Sequence, residues 1–114
     1  MSDQDAFEEQ EERVRAVEAQ KRAAEINALY EERMFVEVLG NEYGRAFIHW
    51  LLDGVNMYET TFHPDHAMSS AMEGKRQVGL AVRARVMECH PAMYDKIFEE
   101  ARERQAMFIE QANP

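Results

Sequence analysis

His63, Asp65 and His66 are the densest grouping of metal-ligating side chains in this sequence, and with His49 and His90 they account for every histidine. Their spacing fits no helical metal site. Paired zinc ligands on one helix stand four residues apart, and helical di-iron bundles use Glu-x-x-His on two helices. Neither pattern occurs, and roles in a turn and a helix cap explain the three residues. Cys89 beside His90 suggests a thiolate nucleophile, but neighbours at a helix end point in different directions and nothing orients the imidazole. The expectation there is a half-buried thiol. Asp53 and Glu59 fall on different sides of a helix and make no acid/base pair. Phosphate-binding glycine loops are missing. The residues call for no catalytic group, no metal and no cofactor.

Lys75, Arg76, Arg83 and Arg85 form a basic strip that could contact phosphate or pair with carboxylates. The chain carries 13 Lys and Arg against 22 Asp and Glu, a net charge of −9. That balance argues against broad binding to nucleic acid or to an anionic membrane. With so many carboxylates at hand, pairing with the acidic first part of this chain or a neighbouring one is the favoured reading. Residues 1–37 alone hold 11 acids and five bases.

The elements that position these groups are helices. Asp3 to Leu39 contains neither glycine nor proline, with Ser2 or Asp3 as cap and Glu8, Glu9, Glu11 and Glu12 near the positive end of the dipole. It reads as one helix roughly 50 Å long, longer than a domain of 114 residues is wide. Phe7, Val14, Ala28 and Phe35 share a heptad phase that Lys21 interrupts, and Gln10 and Glu31 spoil the companion position. Two readings fit: a solvated helix whose last turns pack on the domain, and a docking arm whose sparse stripe, Phe7, Val14 and Val17, is covered by a partner. A strict coiled coil ranks behind both.

Gly40 and Asn41 mark a stop and a new cap. A second helix is predicted from about Glu42 to Tyr58, a third from about Pro64 to Glu88, and a fourth from His90-Pro91 to the C-terminus. No alternating β-branched segment predicts a strand. Phe47, Trp50 and Phe62 are expected as helix-packing anchors, and Gly74 and Gly79 as points of close helix approach. The fold class is therefore all-α: a long projecting helix over residues 1–38, then a compact three-helix unit over 39–114. No apolar run reaches the ~20 residues that span a bilayer, and the acidic start is not a signal peptide. A soluble intracellular domain without membrane contact is the expectation.

Gly44-Arg45-Ala46-Phe47-Ile48 with Leu51-Leu52, then Thr61-Phe62, then Glu73-Gly74-Lys75-Arg76-Gln77-Val78-Gly79-Leu80, resembles the Bbp-nineteen-like phage domain family, small proteins first recognised in short-tailed phages. The resemblance covers about residues 35–100, and the Glu-Gly-Lys-Arg-x-Val-Gly-Leu stretch is its specific part. It implies a phage protein encoded among head and portal genes, with no catalytic residues and no ligand to carry over. The expected role is a virion structural or assembly protein, a homo-oligomeric helical subunit that binds the portal, an internal core or another head component. Such a protein is assembled in the host bacterial cytoplasm. Two other classes stand beside it: a nucleic-acid-contacting packaging or genome-ejection accessory using the basic strip, and a phage protein that binds a host factor.

Overall fold

The computed structural model describes residues 2–55 and 64–113. The protein is all-α: 91% of the described residues are helical, in four helices without a strand among them. They are α1 (Asp3–Leu39), α2 (Glu42–Gly54), α3 (His66–Cys89) and α4 (Ala92–Ala112). The boundaries follow local chemistry. Ser2 Oγ accepts from the Asp5 amide at 3.2 Å while Asp5 Oδ2 accepts from the Ser2 amide at 3.3 Å, a reciprocal cap at the start of α1. Asn41 Oδ1 accepts from the amides of Tyr43 and Gly44 and starts α2.

α2 is capped after Gly54, with the Val55 amide turned back to Leu51 O and Asp53 O, and the expected end at Tyr58 lies outside the described residues. Two limits differ from expectation. α3 starts at His66 rather than Pro64, because the Asp65 carboxylate accepts from the Met68 amide at 3.1 Å and fixes the cap there. Before α4, Pro91 occupies the cap position without a side-chain hydrogen bond, while His90 closes α3 through its amide to Val86 O.

The chain divides into two units, Met1–Met34 and Phe35–Pro114. The division falls a turn earlier than the expected 38/39 boundary, because the end of α1 belongs to the core. Leu39 is buried with Ile48, Leu52, Val86 and Ile97, so every helix contributes, and Phe35 and Val38 pack against that cluster. In the first unit, residues 2–30 are exposed throughout.

The glycines of α3 separate two environments. Gly79 is buried, as a point of close approach would be. Gly74 is exposed, and a Cβ placed there would meet nothing within 4 Å, so among the described residues the expected helix contact at Gly74 is not made. Gly74→Ala should therefore stabilise the protein by up to about 1 kcal/mol, the helix-propensity difference. Gly79→Leu should cost about 1–3 kcal/mol by overpacking. Urea unfolding of the two variants checks both signs.

Candidate functional site

The surface of the second unit is organised by one buried arginine. Arg45 lies on the inward face of α2 with Ile48 and Leu52, at intervals of three and four residues that place all three on one side of a helix. Its Nε donates to both oxygens of Glu100 on α4, at 3.1 and 2.9 Å, and Nη2 donates to Oε1 at 2.8 Å. Nη1 donates at 2.9 Å to the carbonyl of Leu39, one of the last carbonyls of α1, which lack a partner within the helix. The two side chains are only 9% and 16% exposed. The hydrogen bonds from Arg45 hold the Glu100 carboxyl below the usual carboxylate range against the opposing effect of burial, and Lys96 and Arg104 add to the lowering. The Arg45 guanidinium is raised in turn, chiefly by its bonds to Glu100. One side chain thus ties the end of α1, the start of α2 and the middle of α4 together.

With that side of α2 fixed inward, its other side must face out. Tyr43, Phe47 and Trp50, at intervals of four and three, line the side opposite Arg45, Ile48 and Leu52. They are 85%, 55% and 68% exposed. This corrects the expectation that Phe47 and Trp50 anchor the core: the core side was already taken. The Phe47 and Trp50 rings stack on each other, with centroids 5.9 Å apart at 27°. A helix apolar on both sides has one side to bury within its own domain and one left over. Thr61, Phe62 and His63 lie outside the described residues.

Three members of the basic strip have partners within the second unit. Arg76 meets Glu73 at 3.5 Å and Arg85 meets Glu88 at 2.8 Å, both one turn away on α3. Arg83 donates to the Tyr94 hydroxyl at 3.2 Å and lies over that ring, and Arg85 lies over the Phe35 ring. The carboxylates that meet Arg76 and Arg85 here, Glu73 and Glu88, are on α3 itself. Lys75 is exposed.

His49 sits edge-on to Phe98 with centroids 5.8 Å apart, an aromatic contact between α2 and α4. His66 is exposed, and His90 and Cys89 are half-buried. Among the described residues no three His, Cys, Asp or Glu side chains are placed to hold a metal ion, and no helix is long and apolar enough to cross a membrane. In the first unit Phe7, Val14 and Val17 are all exposed, as a stripe awaiting a partner would be.

The chain matches no protein-family model, no curated protein and no solved structure.

Proposed function

We propose that this chain is a structural or assembly subunit of a tailed-phage particle. It binds the portal, an internal core or another head component through its first helix, assembles in the bacterial cytoplasm and resides in the virion. The observation that carries this reading is α1, whose residues 2–30 are exposed along their whole length while carrying Phe7, Val14 and Val17. Isolated helices are marginal in water, and most helical stability comes from packing one face. A helix presented in this way gains its stability from a neighbouring chain. The Gly-Arg-Ala-Phe-Ile and Glu-Gly-Lys-Arg segments, through their resemblance to the phage family, supply the setting. The outward Tyr43, Phe47 and Trp50 side of α2 offers a second apolar surface, as a subunit with more than one neighbour requires. Engagement of Arg76, Arg83 and Arg85 within the second unit favours an assembly role over nucleic-acid contact.

Deleting residues 1–25 should leave Phe35–Pro114 folded, since that unit holds all five buried apolar residues among those described. It should also remove the protein from purified particles. Circular dichroism reads the first outcome and mass spectrometry of particles the second. Normal incorporation of the truncated chain would overturn the assembly role of the helix.

A further inference from the structure

Residues 3–12 of α1 carry Asp3, Asp5, Glu8, Glu9, Glu11 and Glu12 without a cation, whereas residues 13–22 carry Arg13, Arg15, Lys21 and Arg22 against Glu18. Each segment is about 15 Å of helix. Two such helices laid parallel and in register would set the acidic segments side by side, within the ~10 Å range over which charges interact at 0.1 M salt. Laid antiparallel about residue 12, each acidic segment faces a basic one.

The apolar positions obey the same register. Phe7, Val14 and Lys21 share one heptad phase, and Asp3, Gln10 and Val17 share its companion. Antiparallel pairing about residue 12 matches phase to companion. Phe7 then faces Val17 of the second copy, Val14 faces Gln10, and Lys21 faces Asp3. Lys21, which interrupts a parallel heptad, moves to the ends of a short antiparallel one, with Phe7–Val17 and Gln10–Val14 layers inside and an opposite-charge Asp3–Lys21 layer closing each end. Close to the axis like charges meet, Glu11 with Glu11 and Arg13 with Arg13, and Glu11 is offset by Arg15 of its own chain at 3.7 Å.

We propose that residues 3–21 of α1 dock on the same residues of a second copy, antiparallel, through Phe7, Val14 and Val17 and the Asp3–Lys21 layers. This rests on the assembly reading above and names the occupant of the helix face. The contact is isologous and closes as a dimer, because a two-fold axis presents the same surface from both chains.

Sedimentation equilibrium of the full chain tests it. A dimer is expected whose dissociation constant rises roughly tenfold between about 50 mM and about 500 mM salt, as exposed complementary charges are screened. Lys21→Glu sets a second carboxylate against Asp3 at both ends and should weaken the dimer at least roughly tenfold; adding Asp3→Lys should restore it. Both positions are exposed and outside the core-bearing unit, so the cooperative unfolding of Phe35–Pro114 should not change. A parallel pair sets Lys21 against Lys21 and responds to neither variant. A monomeric chain at ~100 μM, a weak dimer that salt strengthens, or a double variant that fails to recover overturns the contact. A chain that needs residues 1–25 to enter particles yet stays monomeric would remove this inference and leave the assembly role standing. A dimer with the expected charge responses, whose truncated form enters particles normally, would keep the contact and remove that role.

Discussion

Arg45→Met should destabilise the second unit by about 3 kcal/mol, the low end of the range for stripping one partner from a buried ion pair. Glu100 would remain with two oxygens turned toward a removed guanidinium, and the Leu39 carbonyl would lose its donor. The low end applies because Glu100 keeps some contact with water. Adding Glu100→Met should return much of the loss, since well-packed apolar replacements for a buried pair are often neutral. Recovery stays incomplete because the Leu39 carbonyl is still unsatisfied. Urea unfolding of both single variants and the double variant measures the coupling.

The same pair sets a pH dependence. Glu100 binds its proton less readily in the folded chain than in the unfolded one, so the unfolded state takes up more protons as pH falls. Its stabilisation is present above the ordinary carboxylate pKa and is lost as pH drops through the lowered folded value. Glu100→Gln should therefore be less stable than the native chain at neutral pH and show a shallower decline in acid. An acid limb of unchanged slope would mean that other carboxylates carry it.

Gly44→Ala should cost about 3 kcal/mol, at the upper end of what overpacking usually exacts. The turn between α1 and α2 is so short that the first turn of α2 lies on the backbone of the last turn of α1. A Cβ at residue 44 would collide with the carbonyl oxygen of Val38 and stand 2.8 Å from its carbonyl carbon and 3.1 Å from its Cα. No flexible side chain can move aside, because these are main-chain atoms. The ~1 kcal/mol that alanine gains over glycine in a helix does not offset this. Relief would require α2 to lift from α1, and Arg45 on the next residue resists that movement through its bonds to Leu39 and Glu100. Thermal unfolding of Gly44→Ala beside Gly74→Ala should show shifts of opposite sign from the same chemical change.

The helices are legible in the sequence because their punctuation is local. Asn41 and Asp65 act over two or three residues, and the glycine- and proline-free run up to Leu39 allows one reading. The direction each helix faces is less legible. Residues 42–54 have apolar groups on both sides, and period alone does not say which side a core will take. The indication is Arg45 sharing a side with Ile48 and Leu52, an arrangement that a buried partner makes tolerable. That partner stands 55 residues away, beyond any local pattern. Glycine in a helix interior points to close approach at Gly74, but the tighter site is Gly44, beside a corner. A corner of two residues leaves the adjoining helix turns no choice but contact.

The 55-residue separation of Arg45 and Glu100 also orders events in time. At 5–20 residues per second, ribosomes take about 3–11 s to add that stretch. Throughout that interval the α1–α2 corner exists without the carboxylate that secures it, and Arg45 keeps its hydration. The compact unit therefore matures after its last helix is made, while the leading helix, whose residues 2–30 touch none of that core, has its whole sequence available to a partner chain well before then. The segment proposed to meet other molecules leaves the ribosome before the part that holds the protein together is complete.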